Sequence, residues 1–350
     1  MAFSSAELAN IANAALDYYI DQGNVYANTL ADKPLLNLMD GKAKTFPGGK
    51  SDLSVAVKGV YTTQVAGYTH NDTVAYANPA NIQRANYAWK EHHSGISVTL
   101  TELKKDGISV TDSTTSNSVT NHSGRDKTVL VNLFQDKLDD MLEGYSRGMN
   151  DLLYGDGTAD ANALAGIRSI IVDDPSATGT TVGGLSTVTN TWWRNRANVA
   201  ISTTATGQEL IETLHSEMRQ LKRFGGKPDI AVCGSLFLDR LADELRRNGN
   251  YSNTGFSGNQ NIAVGEINYN GLKFVYDPAL DDLTISGQNP DKRCYIIDSS
   301  KLCMYYMDGE KMKRHSPARP ATQYVMFRAI TTTASLAAFQ LNCHGVYEIS

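Results

Sequence analysis

The side chains with the widest chemical reach in this sequence are a histidine pair, a scatter of cysteines and one dense acidic run. His92-His93 is the adjacent pair among seven histidines. Neighbouring residues on a strand point to opposite faces, so these two are poor ligands for a single metal. Cys233, Cys294, Cys303 and Cys343 contain no C-x-x-C pair, and three of them sit in apolar, strand-like runs. They read as buried free thiols in a reducing compartment. Asp136, Asp139, Asp140 and Glu143 fall largely off the apolar stripe of a helix. A metal-binding carboxylate cluster is one reading; a solvated or subunit-facing side is the preferred one. Trp192-Trp193-Arg194 offers a stacking or cation–π site, or ordinary packing at the edge of a core, which is preferred. The glycines of 249–261 match neither G-x-G-x-x-G nor G-x-x-x-x-G-K, so phosphate binding has little support. G-x-S-x-G and H-E-x-x-H are absent. No catalytic residue, cofactor or metal is nominated.

Composition narrows the alternatives. The chain has 350 residues, 41% hydrophobic and 20% charged, which is the balance of a globular protein. Its formal net charge is -5. The densest basic stretch, Lys311 to His315, is too short for a strong phosphate-binding stripe, so sequence-specific DNA recognition is not expected. A mildly acidic wall is compatible with enclosed DNA, because it does not trap it. Tyrosine, at 17 against Phe 9 and Trp 3, suits half-wet interfaces. The first residues lack a basic n-region and an apolar h-region, so no secretory signal is expected. No apolar run approaches the ~20 residues that span a bilayer.

The elements follow from periodicity. Ser4 and Glu7 fit a capping box on an amphipathic helix over 4–22, and an arm punctuated by Pro and Gly runs to 49. Leu53, Val55 and Val57 alternate, as do Tyr87 and Trp89, then Ile96, Val98 and Leu100. These read as strands flanking a polar excursion, Tyr61 to Arg84, that has too little apolar content to fold alone. Leu130, Phe134, Leu138, Met141, Tyr145, Met149 and Leu152 predict a helix over 126–153, roughly 40 Å long. A helix over 206–224, capped by Thr206 with Glu209, precedes a strand at 229–233 and a helix started by Ser235, together an α/β module. Short strands are expected at 272–276, 294–297, 302–307, 323–328 and 335–341, with Asp308-Gly309 as a hairpin turn.

Val131 to Leu138, Leu152 to Gly157, Ala165-Gly166-Ile167 and Trp192-Trp193-Arg194, set in this order of parts, resemble the major capsid proteins of tailed bacteriophages with the Hong Kong 97-type fold. The resemblance covers essentially the whole chain. It implies an α+β capsid fold with an N-arm, an extended β loop, a long spine helix in a peripheral domain, and an α/β axial domain. The implied boundaries are 1–48 for the arm, 49–103 for the loop, 104–205 for the peripheral domain, 206–316 for the axial domain and 317–350 for a peripheral return. It implies a non-enzymatic subunit that assembles with itself into hexamers and pentamers around non-specifically held double-stranded DNA. Further implied partners are a portal protein and, in some cases, scaffolding and decoration proteins, with no membrane. The implied location is the virion, after assembly in the host cytoplasm. Leu53, Val55, Val57, Tyr68, Tyr87 and Trp89 become candidate inter-subunit contacts, and Gly144 and Gly148 candidate hinge points in the spine helix. Lys58, Lys90 and Asn342 are the candidates for the isopeptide link that some relatives carry.

Three rival readings differ in what they predict. An encapsulin-type compartment would share the fold and enclose protein instead of nucleic acid. A phage tail-tube or decoration protein fits the spine-helix pattern poorly. A soluble hydrolase would need a pocket and a catalytic constellation.

Overall fold

Among the described residues, period-two and helical spacing resolve into two large sheets that share one core with a long helix, beside three two-stranded pairings. The computed structural model describes residues 3–4, 33–105 apart from 62, 75, 77, 79 and 80, 110–111, 124–203, 207–247, 266–315 apart from 286 and 287, and 325–350. The expected helix over 4–22, the Thr206 cap, the 249–261 loop and the first two residues of the strand expected at 323–328 lie outside the described residues, save that β1 (Phe3–Ser4) pairs in parallel with β6 (Val110–Thr111).

The helices are α1 (Pro34–Gly41), α2 (Leu100–Lys105), α3 (Gly124–Tyr154), α4 (Ile167–Ile170), α5 (Glu209–Lys222), α6 (Ser235–Arg247) and α7 (Ala279–Asp282). The remaining strands are β2 (Lys44–Phe46), β3 (Asp52–Lys58), β4 (Ile82–Ala88), β5 (Lys90–Thr99), β7 (Thr181–Val182), β8 (Leu185–Ser186), β9 (Arg196–Ile201), β10 (Ile230–Cys233), β11 (Glu266–Tyr269), β12 (Leu272–Tyr276), β13 (Arg293–Ile297), β14 (Leu302–Met307), β15 (Lys313–His315), β16 (Val325–Ala338) and β17 (Gly345–Ile349).

The six-stranded sheet runs β11-β12-β10-β13-β17-β9. Its central strands β10, β13 and β17 are buried along nearly their whole length, whereas β9, β11 and β12 keep exposed residues. Ala231, Cys233, Cys294, Ile296 and Tyr347 face a cluster with Leu210, Leu214 and Met218 of α5 and Phe237 and Leu241 of α6. Val232, Tyr295, Ile297 and Val346 face the opposite way, into the main core with α1 and α3. Glu209 sets the start of α5: its Oε2 accepts the Gly207 and Gln208 N–H groups at 2.9 and 3.1 Å. Asp281 Oδ1, from α7, accepts the Ser235 N–H at 3.0 Å, so the start of α6 is held by a remote carboxylate where Ser235 was the expected cap.

In the second sheet β16 is the central strand. Its residues 325–334 pair with β5 along one edge. Along the other edge, β14 pairs with 334–338 and β15 with 329–331. Asp308-Gly309 therefore turns between two strands that continue along the same edge, and the expected hairpin does not form. Gly309 takes φ 71 and Met312 φ 51 in that interruption. Parallel β2 closes the far side of β14. The sheets cut across the sequence blocks: β14 and β15, from within 206–316, join β16, while β9 and β17 join the six-stranded sheet.

The apolar stripe of α3 holds as expected at Leu138, Met141, Tyr145 and Met149, which are buried with Leu142, Leu153 and Tyr154. The helix crosses β5 and packs on α1. Tyr145 Oη and Thr332 Oγ1 share a hydrogen bond of 2.7 Å, fixing helix to sheet.

Candidate functional site

The β3–β4 hairpin and the loop it carries have two unlike halves. In the lower half, β3 and β4 pair in antiparallel register, with Leu53 opposite Tyr87 and Val55 opposite Ala85. Their inward side chains join the chain's own core. Tyr87 donates from its hydroxyl to the Ala338 carbonyl at 3.2 Å. Burial pushes the Tyr87 hydroxyl well above its ordinary range. Leu53, Val55, Val57 and Tyr87 are thus internal packing residues, contrary to their expected role as inter-subunit contacts. Alternation shows that one face of a strand is covered, and here the cover is intramolecular. Trp89 is half-buried, with its ring 5.7 Å from that of Phe46.

The socket for this half is the segment 173–193. β7 and β8 form a small hairpin around Gly183 and Gly184, both at positive φ. A Gly-Gly pair between short runs is a two-residue hairpin signal, and it was legible in Thr181 to Ser186. The Asn86 N–H donates to the Gly183 carbonyl at 2.9 Å. A Cβ on Gly183 would stand 2.9 Å from Ala85 Cβ, so glycine permits the close approach. Trp193 is buried and donates from Nε1 to the Val182 carbonyl at 3.0 Å. Trp192 meets it edge-on at 5.7 Å and covers Gly59, where a Cβ would fall inside the indole ring. Arg194 Nε donates to the Thr187 carbonyl at 2.7 Å. The Trp-Trp-Arg motif therefore packs the socket.

Beyond Gly59 the excursion leaves the body. Asn81 Nδ2 donates across its base to the Val60 carbonyl at 2.6 Å. Near its tip, the Thr69 N–H and hydroxyl both donate to Asp72 Oδ2 at 2.8 Å. These two bonds hold the Asp72 carboxyl below its ordinary range. Between these points Tyr61, Val65, Tyr68, Val74 and Tyr76 are exposed, Val65 fully and Tyr76 at 94%. Tyr68, the one expected contact residue on this stretch, is 66% exposed. A segment that displays several large apolar side chains is the pattern of a surface completed by another molecule.

Gly144 and Gly148 lie in the uninterrupted part of α3, and a Cβ at either would meet nothing within 4 Å. Packing does not require glycine there. Of the acidic run, Glu143 is bound by Lys33 Nζ at 3.1 Å and Arg147 Nε at 2.6 Å. Burial pushes its carboxyl up, and the two cations outweigh that and hold it below the ordinary range. Among the described residues no group of three or more His, Cys, Asp or Glu side chains is placed to hold a metal ion.

Three polar networks escaped sequence reasoning because their members are far apart in the chain. Lys42 Nζ and the Ser299 hydroxyl both bond Asp229, and His344 Nδ1 accepts the Asp298 N–H at 3.2 Å. This looks like a nucleophile with a base beside it, but Ser299, Asp298 and His344 are all buried, so no substrate reaches them. Burial pushes the His344 imidazole down to about 4, so it is neutral at physiological pH. Arg293, also buried, binds Asp173 and Glu348 at 3.0 and 2.7 Å. Asp277 accepts from Tyr154 Oη at 2.8 Å and from Asn150 Nδ2 at 3.3 Å, which ties the end of α3 to α7. A cleft between the hairpin and its socket, lined by Asn86, Tyr87, Leu164 and Ser335, holds about 200 Å³, below the ~300 Å³ at which ligand pockets begin. Lys90 Nζ donates to the Ala161 carbonyl at 2.5 Å, Lys58 Nζ lies 4.7 Å from the centre of the Tyr61 ring, and Asn342 Oδ1 accepts from Gln340 at 2.6 Å.

No known family profile and no curated protein matches the sequence. Solved structures do match. One is the capsid asymmetric unit of cyanophage A-1(L), with a TM-score of 0.61 at 15% identity over 90% of this chain and 92% of that one. The chain has a phage capsid fold. A structure from Gordonia phage Cozz has a TM-score of 0.53 at 12% identity, covering 90% of this chain and 86% of that one. The capsid structure of cyanophage P-SCSP1u has a TM-score of 0.52 at 10% identity, covering 88% and 86%. The expected mixed α+β architecture is present, with the long helix α3 and the β3–β4 excursion among its described elements.

Proposed function

We propose that the chain is the major capsid protein of a tailed bacteriophage, a non-catalytic subunit that builds the icosahedral shell around double-stranded DNA. What carries this reading is a capsid fold over 90% of the chain, joined to a β3–β4 excursion whose apolar side chains the chain itself leaves uncovered. In a closed shell each subunit makes several different contacts with its neighbours, and those contacts cover what the monomer exposes. The 49–103 loop lies on a neighbour through Tyr61, Val65, Tyr68 and Tyr76. α3 is the spine of the peripheral domain, and the α5–α6 module within 206–316 is the axial domain at the capsomer centre, joined by β9 and β17 from outside that block. The 1–48 arm completes the inter-subunit contacts. Gly144 and Gly148 are the points where the spine bends during maturation. DNA is enclosed without sequence preference, and the net charge of -5 is compatible with a wall that does not trap it. Portal, scaffolding and decoration proteins are the further partners, the virion is the location, and the host cytoplasm is the place of assembly. Among the described residues no helix is long and apolar enough to cross a membrane.

The test is electron microscopy of the expressed chain, alone and with lysate of a producing host. Closed shells, curved sheets or five- and sixfold rings support the proposal. A uniform small particle under both conditions overturns it. Nucleic acid inside the shells separates a phage head from an encapsulin-type compartment, which would hold protein.

A further inference from the structure

Cys233 ends β10 and Cys294 lies in β13, and the antiparallel register sets them directly opposite each other. The Gly234 N–H donates to the Arg293 carbonyl at 2.9 Å. Gly234 and Arg293 are therefore a hydrogen-bonded pair, one step beyond the cysteines. Antiparallel ladders alternate, so Cys233 and Cys294 occupy a non-hydrogen-bonded position. There the Cα atoms stand about 4.5 Å apart and the side chains come closest. A disulfide needs a Cα separation of about 4.4 to 6.8 Å with the Cβ atoms facing. Both side chains lie in the same apolar cluster against α5 and α6, and both are fully buried. The other two cysteines have no such partner. Cys303 stands opposite Ala337, and Cys343 Sγ bonds the Gln340 carbonyl at 3.3 Å.

We infer that Cys233 and Cys294 form a built-in cross-link site, which a small disulfide oxidant such as oxidised glutathione converts to one disulfide spanning β10 and β13. Two S–H bonds break and one S–S bond forms. The two electrons and two protons released reduce the oxidant's S–S bond to two glutathione thiols, by way of a mixed disulfide on one cysteine. Burial, and then the neighbouring Cys294 thiol, hold the Cys233 thiol well above its ordinary range. Exchange requires the thiolate, so the reaction runs when the sheet opens or while the chain folds. The closed loop would contain α6, β11, β12 and α7, so the bond restricts the unfolded chain over a long segment. The site does not depend on the shell-building reading.

The full-length chain is unfolded in urea and refolded with a mixture of reduced and oxidised glutathione. In a parallel arm the native chain is treated with diamide. Remaining thiols are then alkylated under denaturing conditions and counted by intact mass. The expected result is a fall from four alkylated thiols to two in the refolding arm, with one cross-linked peptide joining Cys233 to Cys294 and a raised unfolding midpoint. Cys233→Ser abolishes the cross-link, and Cys303→Ser keeps it. Four free thiols in both arms, or a disulfide joining any other pair, overturns the inference.

Discussion

Leu53→Ala separates a packing residue from a docking residue. Leu53 is 4% exposed and stands opposite Tyr87, whose hydroxyl is tied to the Ala338 carbonyl. Truncation removes about three methylene equivalents at about 0.8 kcal/mol each. The cavity left behind adds to that, since Leu-to-Ala changes in cores cost about 2 to 5 kcal/mol. A loss of about 3 kcal/mol, with a urea dependence of about 3 kcal/mol per molar, lowers the unfolding midpoint by about 1 M. Tyr76→Ala has the opposite signature. The residue is 94% exposed, so unfolding shifts by no more than about 0.5 kcal/mol, while the yield of closed shells falls. The assay pairs urea unfolding of unassembled subunits, followed by tryptophan fluorescence, with sedimentation of assembled particles. If Leu53→Ala unfolds at the wild-type urea concentration, or Tyr76→Ala unfolds early and assembles normally, the division of the hairpin into a packed base and a docking tip is wrong.

Gly59→Ala should displace the Trp192 ring, because the added methyl occupies its place; the readout is a red-shifted, more quenchable tryptophan emission with assembly impaired, and an unchanged spectrum counts against the packing of Trp192 on Gly59. Gly144→Ala with Gly148→Ala should stabilise α3 by up to about 1 kcal/mol per site, since both methyls enter open space. The double variant should fold and form immature shells but expand abnormally, and normal expansion removes the hinge assignment. His344, neutral and buried, has a folded pKa of about 4 against an unfolded value near 6.5. The unfolded state then binds the extra proton between these limits, so stability is full above about pH 6.5 and falls by about 3 kcal/mol as pH drops toward 4. His344→Asn keeps an acceptor for the Asp298 N–H and should flatten that part of the urea-midpoint profile against pH, whereas an unchanged slope assigns it to other groups.

Much of the local architecture was legible in the sequence. The stripe Leu138, Met141, Tyr145, Met149 specified α3 and its buried side, and Leu210, Leu214, Met218 and Leu221 did so for α5. Leu53, Val55 and Val57 specified a strand with one covered face. The excursion between β3 and β4 was recognisable by its lack of a core of its own. These are properties of a few successive residues, because side-chain direction repeats every 2 residues in a strand and every 3.6 in a helix.

The tertiary structure decided what those faces meet. Periodicity reports that Leu53 is covered, and only the pairing with β4 and the approach of Gly183 and Ala338 show that this chain supplies the cover. Asp308-Gly309 specified a turn, and the two edges of β16 determined that the strands on either side run on along one of them. The Arg293–Asp173–Glu348 and Lys42–Asp229–Ser299 networks, and the facing thiols of Cys233 and Cys294, join residues that no spacing rule connects. Local spacing fixes which way a side chain points along its own element, and the register between distant elements, set by burial of the whole core, fixes what it touches.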